Sequence, residues 1–186
     1  DILVSIPKSS PGVPAVQIRA YQGDGSLIRE YTTSEPGHDY LSRPAVGDLD
    51  GDGENELVAV ASRGSIPIRL YVWHLDGSIA WSAPLGFEWT EWADGLPPVL
   101  VDVDGDEHLD VVASGSSTNV KVFRSDGTVL AEVTNYNNAV RSRIVPMQLH
   151  PAGDPTERRI LFTTRESQAG RYGRYLRMFD LMTGGE

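Results

Sequence analysis

Apolar residues in this chain come in short runs bounded by Gly, Asp and Ser. The clearest block has such runs at 57–62 (LVAVAS), 68–73 (IRLYVW) and 78–85. Runs of this length between turn residues predict buried strands. The second and third are joined by His74-Leu75-Asp76-Gly77, and an Asp-Gly pair between two apolar runs is a strong hairpin signal. The same strand–turn–strand pattern stands in YQGDGSLIREY from Tyr21 and in VFRSDGTVLAEV from Val122, so that Gly25, Gly77 and Gly127 lie 52 and 50 positions apart. A fourth copy, MFDLMTGGE from Met178, carries its turn glycine at Gly184.

A period near 50 residues points to a repeat architecture. The best copy has strands over 44–47, 57–62, 68–73 and 78–85, which makes four antiparallel strands with an acidic loop after the first. The next unit runs from Pro97 to about Tyr136, and a third starts near Arg143, where Gln148 and His150 replace the first two acidic residues. At the N-terminus Asp1-Ile2-Leu3-Val4-Ser5 aligns with Asp110-Val111-Val112-Ala113-Ser114, which places the first residues inside a unit. Four-stranded units of this period pack face to face around an axis as propeller blades, and ring closure protects their edges. The expected fold is all-β: about four blades of a larger or incomplete β-propeller, divided at 1–43, 44–96, 97–142 and 143–186 within one domain. The rest of the ring would come from the same or another chain.

The loops after the first strands carry the chemistry. AVGDLDGDGENELVAVAS crowds five acidic residues into nine positions, with Asp48, Asp50 and Asp52 alternating and Glu56 returning at the ninth. VDVDGDEHLDVVAS repeats that register with Asp102, Asp104, Asp106 and Asp110. Carboxylates about 5 Å apart at an effective dielectric of about 20 repel by roughly 3 kcal/mol per pair. Gathering four of them therefore calls for a cation, and an all-oxygen set with a backbone carbonyl suits Ca2+. Glu54 and His108, each at position seven, would supply that carbonyl. An EF-hand would need a Glu at position twelve followed by a helix, whereas Ala59 stands there within an apolar strand run. A solvated Asp/Gly turn is the simpler reading of one loop, but it gives no reason for the register to recur.

The net charge of −10 disfavours nucleic acid or an anionic membrane as partner. Two Ca2+ ions would bring it to about −6, so much of the acidity is local. Cysteine is absent, hence there is no disulfide framework or thiol chemistry. No apolar run approaches a membrane span.

The two loop segments, PAVGDLDGDGENELVAVAS and PPVLVDVDGDEHLDVVAS, resemble the calcium-loop repeats called FG-GAP or VCBS. YVWHLDGSIAW is similar to the third and fourth strands of the VCBS type. The resemblance implies Ca2+ at Asp48, Asp50, Asp52 and Glu56 and at Asp102, Asp104, Asp106 and Asp110. Two departures are Glu56 in place of the commoner aspartate and Glu107 in place of the glycine after the third ligand. Function is left open by the motif, because such propellers serve as adhesion modules, lectins, accessory domains of secreted peptidases and scaffolds of polysaccharide lyases.

On the blade face opposite the calcium loops, GFEWTEWADGL sets Trp89 and Trp92 beside Glu88 and Glu91, side chains that could form a sugar platform or pack between blades. RESQAGRYGR, over 165–174, reads as an irregular loop whose arginines could meet an acidic partner. No histidine stands in a motif with a nucleophile, and there is no G-x-S-x-G elbow. The expectation is a non-catalytic, Ca2+-stabilised propeller segment of a secreted, extracellular protein, binding a protein or glycan or acting as a scaffold. The alternatives are an accessory propeller of a secreted peptidase or polysaccharide lyase, and a glycan-binding, lectin-like propeller.

Overall fold

The computed structural model describes residues 2–6, 17–35, 37–64, 67–86, 96–116, 119–134, 139–140, 145–147, 159–168 and 171–180. These residues form sixteen strands and no helix. The first sheet holds β1 (Ile2–Ile6), β2 (Gln17–Tyr21) and β3 (Leu27–Thr32), and the second holds β4 (His38–Leu41), β5 (Ala45–Gly47), β6 (Glu56–Gly64), β7 (Ile68–His74) and β8 (Ile79–Gly86). The third holds β9 (Val99–Val101), β10 (Asp110–Ser116), β11 (Asn119–Phe123) and β12 (Val129–Thr134), and the fourth β13 (Ala139–Val140), β14 (Val145–Met147), β15 (Arg159–Gln168) and β16 (Arg171–Asp180). Every pairing is antiparallel, and among the described residues none joins one sheet to another. The fold is thus all-β, built from successive antiparallel blades, and no pairing closes a ring among the described residues.

The blades stack because their central strands are apolar on both faces. Along β6, Leu57, Ala59 and Ala61 turn toward the first sheet and join Ile18, Tyr31, Tyr71 and Trp73. Val58 and Val60 turn the other way, onto Val111, Ala113 and Phe123 of the third sheet. Side chains alternate across a strand, so one unbroken apolar run serves two seams at once. All five of these β6 residues are buried. In the first seam Trp73 stacks on Tyr71 with centroids 5.4 Å apart, and its indole N–H donates to the carbonyl of Thr32 at 2.9 Å. The short first strands gather on one side, β5 beside β9 and β9 beside β14, as the inner edge of a radial array requires.

The three hairpin turns share one construction. Gly25, Gly77 and Gly127 donate to the carbonyls of Gln22, His74 and Arg124, each at 2.9 Å. All three glycines have φ between 83 and 88°, and the ladder shifts register beside each turn. This is the three-residue hairpin loop with a glycine bulge. Asp24, Asp76 and Asp126 fix it by accepting the backbone N–H and hydroxyl of the Ser or Thr two residues on.

Three expectations are corrected. The divisions at 43 and 142 fall too late, because β4 pairs with the far end of β6 and β13 with the far end of β15. The first strand of each of these blades is split, with β5 and β14 completing the pairing nearer the loop. The stretch 165–174 contains the ends of two ten-residue strands, with Arg165 opposite Arg174 and Gln168 opposite Arg171. Hairpin pairing between the two strands overrides its loop-like composition there. Trp89, Trp92, Glu88, Glu91, Asp1 and the turn at Gly184 lie outside the described residues.

Candidate metal centre

Each acidic loop leaves a short first strand and returns through a longer second one, which brings its two ends together. Gly47 pairs with Glu56 and Val101 with Asp110. The position-nine carboxylates are buried and tie down the start of the loop. Glu56 Oε2 accepts the N–H of Leu49 at 2.9 Å, and Asp110 Oδ2 accepts that of Val103 at 2.8 Å. The position-one carboxylates shape the turn. Asp48 accepts the N–H groups of Gly51 and Gly53 at 2.8 and 3.0 Å, and Asp102 accepts those of Gly105 and Glu107 at 2.6 and 3.2 Å. Gly51, Gly53 and Gly105 have φ of 77, 90 and 83°, while Glu107 adopts the same left-handed region at 71° despite its side chain.

Not all the expected carboxylates converge equally. Asp48, Asp50 and Glu56 each place an oxygen within 4.8 Å of the others, and so do Asp102, Asp104 and Asp106. Asp52 lies outside the first triad and accepts the N–H of Glu54 at 2.7 Å. Asp110 lies outside the second. A glutamate arm at position nine can both reach its backbone donor and enter the cluster, whereas the shorter aspartate is held at its donor. In the second loop Asp106 takes the third place, with its Oδ1 accepting the N–H of His108 at 2.9 Å. The two loops also touch, since a Cβ on Gly51 would come within 3.1 Å of the His108 ring.

The second loop concentrates negative charge around a buried acid. Burial pushes the Asp110 carboxyl up to about 6; the Val103 N–H opposes that shift, and Asp104, Asp106 and Asp102 add to it. Asp104 Oδ1 is buried and has no hydrogen-bond partner. An oxygen in that state fits a hard cation, and the donor set contains only oxygens of the kind Ca2+ takes.

Two residues at the loops were absent from the expected set. His74 Nδ1 lies 3.4 Å from Glu56 Oε1, and Arg124 donates through Nη2 to Asp104 Oδ2 at 3.2 Å. Both stand three residues before a turn glycine, a shared offset that the repeat itself displays.

The span from the first carboxylate of one loop to the strand after the next, residues 48–113, matches the family described as the FG-GAP-like repeat. No curated protein matches the chain. Among solved structures it is similar to the exotype rhamnogalacturonan lyase YesX, with 16% identity and a TM-score of 0.46, covering 96% of this chain and 37% of that one. It is also similar to a Bacillus licheniformis rhamnogalacturonan lyase, with 15% identity and a TM-score of 0.41, covering 97% of this chain and 38% of the other. The chain therefore spans less than two-fifths of the length of either structure. Among the described residues no helix is long and apolar enough to cross a membrane.

Proposed function

We propose that this chain is a non-catalytic, Ca2+-stabilised segment of a β-propeller in an extracellular protein, serving as a binding or scaffolding module. The observation that carries the reading is the convergence of three carboxylates in each of two loops of one register, with a buried, partnerless oxygen on Asp104. One ion would be held by Asp48, Asp50 and Glu56 with Asp52 and the Glu54 carbonyl completing the set. The other would be held by Asp102, Asp104 and Asp106 with Asp110 and the His108 carbonyl. When bound, Ca2+ supplies charge neutralisation and a rigid link between the first and second strands of a blade. The loops lie in blades whose seams depend on β6 and β10, so the metal acts on packing and not on a reaction. A location outside cells follows from supply, since sites of modest affinity fill at extracellular calcium levels. The partner, a protein or a glycan, would meet the face opposite the loops.

The test is thermal unfolding in EDTA and in excess Ca2+. A ligand at one hundred times its Kd stabilises the folded state by about 2.7 kcal/mol per site. For a chain of this size that corresponds to about 5–11 °C. Asp50→Ala should remove a large part of the difference. Identical melts in EDTA and Ca2+ would refute the proposal.

A further inference from the structure

The two acidic loops share a register but differ in their counter-ions. At position three of the second loop, the oxygens of Asp104 have separate fates. Oδ2 accepts the Arg124 guanidinium at 3.2 Å, while Oδ1 is buried and partnerless. Asp104 is largely enclosed, with 15% of its side chain exposed, so the ion pair is less screened than one in open solvent. In the first loop the matching residue, Asp50, is exposed and, among the described residues, accepts a 3.3 Å bond from the N–H of Asp52. The residue matching Arg124 is His74, which reaches the buried anchor Glu56 and not position three. Among the described residues no permanent cation is paired with Asp48, Asp50 or Asp52.

Resting on the reading that these loops take Ca2+, we propose that Arg124 is the built-in counter-ion of the second loop, holding it in shape without metal and weakening its affinity for Ca2+ below that of the first loop. An arginine fixed at Asp104 favours the metal-free loop by neutralising one of its carboxylates. It disfavours the loaded loop, because guanidinium and ion then share a ligand. Both effects lower affinity, and linkage requires that what stabilises the metal-free state is lost on binding. The two loops of the repeat then fill in order as calcium rises, the first before the second.

Calorimetric titration of CaCl2 into the chain and into its Arg124→Gln and Arg124→Lys variants tests this. The unsubstituted chain should show a tighter and a weaker site. Arg124→Gln should tighten the weaker one by at least about tenfold, the effect of removing a unit charge about 5–6 Å from a divalent ion even at the dielectric of bulk water. Arg124→Lys, which keeps the charge, should stay near the original value. Arg124→Gln should also melt lower than the parent in EDTA and at least as high as the parent in excess Ca2+. An Asp50→Asn background, which disables the first loop, isolates the second for the same comparison. Two ions bound with the weaker site unmoved by Arg124→Gln would overturn this proposal and leave the calcium reading intact. No calcium heat in any variant would overturn both.

Discussion

The seam between the second and third blades makes a quantitative prediction about one methyl group. Gly127 has φ of +83°, and a Cβ there would meet Trp81 Cδ2 at 2.9 Å and Cε3 at 3.0 Å. Gly25 occupies the same turn position at φ of +86° with nothing within 4 Å. Alanine at Gly25 therefore costs only the left-handed backbone, about 1 kcal/mol. Alanine at Gly127 costs that and more, because Trp81 has little freedom to retreat. Its indole N–H donates to the Ser125 carbonyl at 2.7 Å, and its ring lies 5.9 Å from that of Phe123. Overpacking of this kind adds about 1–3 kcal/mol. Gly127→Ala should lose about 3 kcal/mol in all, or about 6–12 °C in Tm, against about 2–4 °C for Gly25→Ala. Thermal unfolding followed by circular dichroism reads both. In a double-mutant cycle with Trp81→Ala, at least about 1 kcal/mol of the Gly127→Ala loss should vanish as coupling. Equal losses at the two glycines, or additivity in the cycle, would refute the seam argument.

Two further outcomes follow from the site and the first seam. Glu107 sits at φ of 71°, where the first loop has Gly53, so Glu107→Gly should stabilise the chain by about 1 kcal/mol and raise Tm by about 2–4 °C; an unchanged or lower Tm would contradict it. His38 is buried, with Nε2 2.9 Å from the Pro67 carbonyl and Nδ1 without a partner, and burial lowers its pKa below the usual 6.5. The unfolded chain then takes up a proton that the folded chain resists. His38's contribution is complete above about 6.5 and is lost as pH falls through that value toward the lower folded pKa. Melting curves between neutral and mildly acidic pH should show Tm falling below about 6.5, less steeply in His38→Gln, and parallel pH profiles would count against it.

Local signals carried most of the fold. The Asp-Gly turns, the apolar runs at 57–62 and 68–73 and the repeated acidic register each lie within a dozen residues, and all three survive in the structure. Most of the features not legible in sequence depend on distant partners. The stretch His38-Asp39-Tyr40-Leu41 has little apolar periodicity, yet it becomes a strand because β6 extends past Ser62 and offers it an edge. Arg165 to Gln168 is the exception: its partner, Arg171 to Arg174, is close in sequence, but the stretch is polar enough to pass for a loop. At the site, spacing located the carboxylates, but arm length and backbone donors decided which of them converge. The contacts of His74 with Glu56 and of Arg124 with Asp104 span 18 and 20 positions, beyond the reach of a loop motif.

The double-sided burial of β6 has a consequence for how this chain can go wrong. Its valines fit the neighbour on one side, while its alanines leave space for Tyr31, Tyr71 and Trp73 on the other. Sliding the strand by one residue would drive the valines into the aromatic wedge and leave gaps opposite Val111 and Ala113. Misalignment is thus penalised twice over, by collision and by void, and a strand with no polar face to guide it still has a single way to pair.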